Sequence, residues 1–272
     1  MLRKCLRTLQ NGFPGLGEAK NEFYHWSRSR FGLLHDSAFA VIGRLPRRDD
    51  DLFLDVGANR GQSILSLRKM RPDAAIVSFE PNPAMVRWLR RHFTEDAGWR
   101  LEPFGLGAMA DRRPLFTPRY AGFAYDGLAT FSAEAARAFL SSDTLFGFDP
   151  RRLTIDEDVC ETRTLDSLNI RPTFIKVDVE GLEHEVLQGG AATIRACEPV
   201  LMVERFHRNP ALMPLIAALG YVEVKPDGRT FARGATTGEN MFCMTPRTLA
   251  AIQKTALEAD DLQPRTRLAT AR

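Results

Sequence analysis

Residues 52–61 run Leu52-Phe53-Leu54-Asp55-Val56-Gly57-Ala58-Asn59-Arg60-Gly61, and the fold is decided there. The first five are a short apolar run with aromatic and β-branched members, which predicts a buried strand. The next five are small or turn-prone, and a helix-like stretch, Ser63 to Met70, follows. A small-residue turn between strand and helix lets a ligand approach the backbone, and the helix N-terminus offers unpaired N–H groups. Asn59 stands at the centre of the turn; Asn tolerates positive φ better than most residues. The spacing Asp-x-Gly-x-Asn-x-Gly is not the dinucleotide pattern G-x-G-x-x-G. A plain strand-to-helix turn is the simpler alternative.

Outward from this turn the alternation continues. Ala75 to Phe79 predicts a second strand, ending at Glu80-Pro81-Asn82-Pro83. Ala84 to Phe93 predicts a helix and Trp99 to Leu106 a third strand. Strand, helix, strand, helix, strand at this spacing argues for a parallel sheet with right-handed crossovers. Residues 108–163 break the rhythm with prolines and glycines among aromatic pieces; they predict an insertion of β-hairpin material and one helix, Ser132 to Leu140, with Glu134 in its first turn. Alternation resumes with a strand at Thr173–Asp178, a helix at Glu180–Ile194, a strand at Pro199–Glu204 and a helix at Ala211–Leu219. Strands at Tyr221–Lys225 and Asn240–Thr245 follow, parted by a turn at Pro226-Asp227-Gly228.

Before the domain, residues 1–50 form an extension. Its glycines at 12, 15 and 17 and Pro14 suggest loop; from Asn21 to Leu45 apolar residues at spacings near three and four suggest amphipathic helix. The expected layout is an N-terminal helical extension over 1–50, a catalytic domain over 51–256 with the insertion at about 108–163, and a flexible tail over 257–272.

Three places carry chemistry. The turn at 55–61 is the first. The second is Glu80, which falls 19 residues past Gly61 at a strand end. An acid so placed can accept both hydroxyls of a ribose, although alone it would more often be a solvated strand end. Asp55 and Glu80, with no lysine in the turn, disfavour a polyanion and suit a cationic cofactor. The third is Ile175-Lys176-Val177-Asp178-Val179-Glu180-Gly181-Leu182-Glu183, which puts Asp178 and Glu180 at the carboxyl end of a central strand, on the edge where α/β sheets bind ligands. Glu204 and His207 follow the next strand on that edge. Acids also favour a first helical turn for its dipole, which accounts for Glu183 without function, and His184 suits a solvated helix face.

These motifs, with Thr164-Leu165-Asp166-Ser167-Leu168, resemble the FkbM family of S-adenosylmethionine-dependent methyltransferases over about residues 50–205. The resemblance implies an α/β, Rossmann-like class I methyltransferase fold, a mostly parallel seven-stranded sheet with helices on both faces. It implies methyl transfer to a hydroxyl of a sugar, glycan or secondary metabolite. By it Asp55, Gly57, Asn59 and Gly61 line the cofactor, Glu80 with Asn82 holds the ribose end, and Asp178 and Glu180 fall near the methyl group or acceptor. Asp178, Glu180 and His207 are the candidate bases for the acceptor proton. A divalent cation such as magnesium, held by Asp178, Glu180 or Glu204, is the alternative way to activate the hydroxyl. Aromatics Phe23, Tyr24, Trp26 and Phe31 of the extension are candidates to cap the cleft, or else for helix packing or a homodimer contact. Phe116, Tyr120, Phe123, Tyr125 and Phe131 of the insertion are candidates to stack on the acceptor, or else to pack a hairpin core.

The rest of the composition narrows the field. With 37 basic and 34 acidic residues the net charge is +3, too little for a phosphate-backbone partner. No Asn/Asp-Pro-Pro-Tyr/Phe tetrapeptide follows Asp178, as a nucleic-acid methyltransferase would want. Apolar runs are too short to span a bilayer, and the basic start is not followed by a signal-peptide core. Four scattered cysteines, at 5, 160, 197 and 243, form no paired motif and suit a reducing, cytoplasmic compartment. The rival readings are a non-catalytic S-adenosylmethionine-binding module and a nicotinamide oxidoreductase; the latter lacks its glycine pattern and a Tyr-x-x-x-Lys pair.

Overall fold

A computed structural model describes Lys4, Thr8 and residues 14–205, 210–228 and 230–261. The apolar run at 52–56 forms β1 (Leu52–Val56), of which all but Leu52 is buried. It is the centre of a sheet completed by β2 (Ala75–Phe79), β3 (Trp99–Glu102), β8 (Phe174–Val177), β9 (Val200–Glu204), β10 (Val222–Asp227), β11 (Thr230–Arg233) and β12 (Asn240–Met244). The order is β11-β10-β12-β9-β8-β1-β2-β3. From β3 to β9 all neighbours pair parallel; β12 pairs antiparallel with both β9 and β10. This is the Rossmann-like α/β fold that the resemblance implies, with eight strands rather than seven. The added strand, β11, pairs antiparallel with β10 around Gly228. The sequence concealed it because only Phe231 of its four residues is buried.

Helices cover both faces. On one side α2 (Gln62–Met70), α3 (Pro83–His92), α8 (Pro246–Asp261) and a 3-10 helix (Ser37–Arg44) pack through Phe39, Ile42, Ile64, Leu67, Leu89 and Ile252. On the other side α5 (Glu183–Gly189), α6 (Ala191–Cys197) and α7 (Leu212–Ala218) bury Val186, Leu187, Ile194 and Ile216. Burial of such side chains is worth about 1.5–3 kcal/mol each, so the sandwich is held from both faces. The single helix expected over 180–194 is two, with a break at Gly190. α8 continues past 257 to Asp261, and 262–272 lie outside the described residues.

The stretch 99–106 is not one strand. β3 ends at Glu102, Pro103 offers no N–H to continue the ladder, and β4 (Gly105–Leu106) joins a second sheet. That sheet is the insertion, ordered β4-β7-β5-β6 with β5 (Asp111–Tyr120), β6 (Phe123–Ala124) and β7 (Leu153–Arg163). Its long arm pairs β5 with β7 antiparallel from Asp111↔Thr162 to Tyr120↔Leu153. α4 (Ala133–Ala138) lies where a capped helix was expected, its N-cap Ser132 accepting from the Ala135 N–H. Tyr120, Tyr125, Leu140 and Leu145 form a small core of its own.

The extension also differs from expectation. α1 (Pro14–Phe31) is helical from Pro14, through Gly15 and Gly17, where loop was expected, and ends where Gly32 turns to φ +60°; Gly12 lies outside the described residues. It packs by His25 against Trp88, His92 and Phe93. Phe23, Tyr24, Trp26 and Phe31 are exposed.

Candidate functional site

The sheet order reverses between β1 and β8, and a cleft opens at the carboxyl ends of strands at such a point. Backbone bonds clamp it: Gly57 and Ala58 donate to the Phe79 carbonyl at 3.0 and 3.2 Å, and Asp178 N–H donates to Val56 at 3.1 Å. Gly57 has φ +84°, and a Cβ there would overlap the carbonyl oxygen of Asp178. Only glycine lets the two strand ends approach so closely. Asn59 follows at φ +49°.

Above this edge is a cavity of about 630 Å³. Its floor includes Gly57, Asn59, Glu80, Asp178, Glu180 and Glu204. The walls come from elsewhere: His35 and Asp36 from the extension, Asp126 and Phe131 from the insertion, and Glu239 and Asn240 before and on β12. Of the other expected site residues, Asn82 lines the cavity, whereas Asp55 and Gly61 do not. His207 lies outside the described residues.

Glu80 is a prepared fork. Its Oε2 accepts the Asn59 N–H at 2.7 Å and its Oε1 accepts the Asn82 N–H at 2.9 Å. Burial pushes its pKa up to about 7, against the pull of those two N–H groups. Two backbone donors fix the carboxylate plane and leave further lone pairs on both oxygens. Asn82 is committed: its Oδ1 caps α3 at the Ala84 N–H, and its Nδ2 donates to the Asp126 carbonyl. Asn59 Oδ1 is buried with no hydrogen-bond partner among the described residues, an acceptor that a ligand donor could satisfy.

Asp55 works from beneath. It is fully buried, accepting Ser63 Oγ at 2.7 Å, with Lys176 Nζ 3.2 Å from its Oδ1. Lys176 also reaches Asp178 Oδ2 at 3.3 Å and donates to the Gly57 carbonyl at 3.1 Å. Burial alone would lower the lysine pKa; Asp178 and Asp55 outweigh it and hold the ammonium charged. The sequence reading gave Lys176 no role. The signal was a lysine inside the otherwise apolar strand Phe174-Ile175-Lys176-Val177, since buried lysines occur almost only with partners.

The remaining acids form a graded cluster. Burial alone would raise Asp178, but Lys176 and a hydrogen bond from Glu204 hold it low. Glu204 is raised to about 9 by burial and by the facing Asp178 and Glu180, so it keeps its proton and bonds to Asp178. Glu180 is raised to about 7 by burial, then Asp178 and Glu183. It sits at φ +54°, an uncommon backbone state of the kind that gathers at functional sites. Glu183 is a loop brace, accepting the N–H groups of Val179 and Gly181. Among the described residues no group of three or more His, Cys, Asp or Glu is placed to hold a metal ion. Asp178 is already engaged by Lys176, so the cluster does not fit a divalent cation.

For the aromatics the structure chooses between the two readings. Tyr120 and Tyr125 are buried in the insertion core, and Phe131 is the one of its five candidate aromatics that lines the cavity. The exposed rings of α1 do not reach it; His35, Asp36 and Phe39 do. Among the described residues no helix is long and apolar enough to cross a membrane.

Comparison with known proteins places the chain in a family. The methyltransferase FkbM domain model matches residues 55–222. AMB antimetabolite synthetase AmbE of Pseudomonas aeruginosa is 30% identical over 163 residues, covering 52% of this chain and 8% of that protein. The 2-O-methyltransferase NoeI of Sinorhizobium fredii is 26% identical over 159 residues, 56% of this chain and 63% of that one. The chain thus spans less than two thirds of either relative. Among solved structures, methyltransferase FkbM from Methylobacillus flagellatus superposes with a TM-score of 0.46 at 17% identity, covering 75% of this chain and 47% of that one. Human methyltransferase-like protein 13 in complex with SAH gives 0.40 at 16% identity, covering 88% and 96%. With more than half of its residues matched to that one domain, the chain belongs to the FkbM methyltransferase family.

Proposed function

We propose that this chain is an S-adenosylmethionine-dependent O-methyltransferase that methylates a hydroxyl of a sugar, glycan or secondary metabolite. The observation that carries the reading is the Glu80 fork, held by Asn59 and Asn82 N–H groups at the cavity floor beside the Gly57 turn. Such a carboxylate accepts a ribose diol with both oxygens. The cofactor supplies a methyl carbon already activated by a sulfonium cation. Glu80 and Asn59 would hold its nucleoside part, and the acidic floor around Asp178 and Glu180 suits its positive charge. The chain's own task is to hold acceptor oxygen and methyl carbon about 3–3.5 Å apart, in line, and to exclude water. Asp126 and Glu239 on the walls and Asp178 on the floor are acceptors for sugar hydroxyls, and Phe131 offers a ring face. The name of the relative NoeI, a 2-O-methyltransferase, supports oxygen as the target. Asp178, Glu180 and His207 are this reading's candidates for contact with the reacting groups.

Calorimetric titration with S-adenosylmethionine tests it, beside Glu80→Gln. The wild type should bind and the variant should bind at least about tenfold more weakly, since a charge-assisted hydrogen bond is worth about 1.5–3 kcal/mol. No binding by the folded wild type, or equal binding by the variant, would overturn the cofactor assignment.

A further inference from the structure

Methylating a hydroxyl requires something to take its proton, and the acids on the cavity floor are mostly engaged. Asp178 is paired with Lys176 at 3.3 Å and bonded by Glu204. Glu204 holds its own proton, and Glu80, fixed by two backbone N–H groups, is committed to the ribose of the proposed cofactor. Burial and the facing acids push Glu180 up to about 7, toward its protonated form.

His35 stands apart from them. It comes from the extension, between α1 and the 3-10 helix, and lines the same cavity as Asp178 and Glu204. Two anchors fix it. Its backbone N–H donates to Ser66 Oγ on α2 at 2.8 Å. Its neighbour Asp36 caps the 3-10 helix at the Ala38 N–H and accepts Asn240 Nδ2 from β12 at 2.9 Å. The ring rests edge-on against Phe39, 6.3 Å between centroids, and neither ring nitrogen hydrogen-bonds a described residue. The charged groups around it are Arg28 on α1, Lys176 and Asp178 at the end of β8, and Asp36. Burial, then Arg28 and Lys176, lower its pKa more than the two acids raise it, so the imidazole is neutral at pH 7 with a free lone pair.

We infer that His35, from outside the methyltransferase motifs, is the base that removes the acceptor proton beside the transferred methyl group. The inference rests on the cavity being an S-adenosylmethionine site. In the step, the acceptor oxygen forms a bond to the methyl carbon and the carbon–sulfur bond breaks. Its electron pair goes to sulfur, leaving a neutral thioether, and the hydroxyl proton passes to a ring nitrogen of His35. One positive charge is present before and after, on sulfur and then on the imidazolium. The extension thereby completes the active site instead of only covering the sheet.

The test needs no acceptor. The Cε1–H resonance of His35 is assigned by its loss in His35→Gln and titrated by NMR in the full chain, with saturating S-adenosylmethionine and then with S-adenosylhomocysteine. The two ligands differ by the methyl group and the sulfonium charge. If His35 faces the methyl site, the cationic ligand should lower its pKa by about one pH unit relative to the neutral one. Calorimetry on His35→Gln should show affinity for both ligands within about twofold of wild type, since a base touches the acceptor rather than the nucleoside. If both ligands bind and the His35 titration is the same with each, His35 is not the base while the cofactor reading stands. If neither binds, the cofactor reading falls and this inference with it. Once an acceptor is found, His35→Gln should lower kcat about 10²- to 10⁴-fold with little change in KM; an unchanged kcat would overturn the assignment.

Discussion

Replacing Lys176 by Met should destabilise the protein by about 3–5 kcal/mol, because it leaves Asp55 charged and unpaired in the core. Lys176 and Asp55 are 2% and 0% exposed, and their ion pair is 3.2 Å long. At that distance and an effective dielectric near 20, attraction is roughly 5 kcal/mol, and the Asp178 pair at 3.3 Å adds a similar gross amount. Desolvation of the three ions offsets much of this, which is why the expected net loss is smaller than the Coulomb sum. Asp178 retains its bond from Glu204 and faces the cavity, so Asp55 bears most of the penalty, with only the Ser63 and Ser78 hydroxyls left. Against a total stability of about 5–15 kcal/mol the variant should fold but marginally, with Tm lower by about 6–20 °C. The assay is urea unfolding followed by tryptophan fluorescence, since Trp88 on α3 and Trp99 on β3 are buried. The midpoint should fall with the m-value unchanged. Lys176→Met with Asp55→Asn should recover more than half of the loss, because it removes the buried charge as well as its partner. A single-variant loss under about 1 kcal/mol, or a double variant no better than the single, would refute the claim that Lys176 is the counter-ion holding the two strand ends together.

Other outcomes follow from the same geometry. Gly57→Ala should cost more than about 3 kcal/mol, because its Cβ overlaps the Asp178 carbonyl. Gly122→Ala, with φ +87° and open space around it, should cost about 1–2 kcal/mol; equal losses in chemical denaturation would show that crowding at Gly57 does not matter. Glu80 titrates at about 7, and its charged form is the better acceptor for two hydroxyls, so S-adenosylmethionine affinity should weaken as pH falls through 7; calorimetry giving a flat profile between about pH 6 and 8 would contradict this. Glu204 keeps in the native state a proton that the unfolded chain releases above about pH 4.5. Its pKa of about 9 should therefore make stability decline as pH rises from there toward 9. Glu204→Gln should give a shallower decline in Tm over that window, and parallel curves would count against the shared proton.

The central alternation was legible in the sequence because strand burial and helix periodicity are local. β1 and β2 follow their apolar runs, the Gly57–Asn59 turn its small and φ-tolerant residues, and α4 its serine cap. So was the position of Glu80 at a strand end, although not the two N–H groups that aim it. Elements whose identity depends on what they touch were read less well. β11 buries one side chain of four, too few for a pattern. α1 is helical through Gly15 and Gly17, and Gly17 lies against the Phe123 ring of the insertion, a contact that only the folded chain supplies; tertiary packing overrides propensity.

By itself, then, the sequence determined the sheet's alternating frame, its carboxyl-edge acids and the family. Tertiary structure alone decided the chemistry of the cleft. Lys176 meets Gly57 across 119 residues of chain and sets the charge of the floor. The insertion, between the motifs, supplies Asp126 and Phe131, and the extension, before them, supplies His35. The physical reason is that periodicity and turn chemistry act between near neighbours. A pKa or a cavity wall is instead set by every group within a few ångströms, and for this cleft those groups come from segments that only the folded chain brings together.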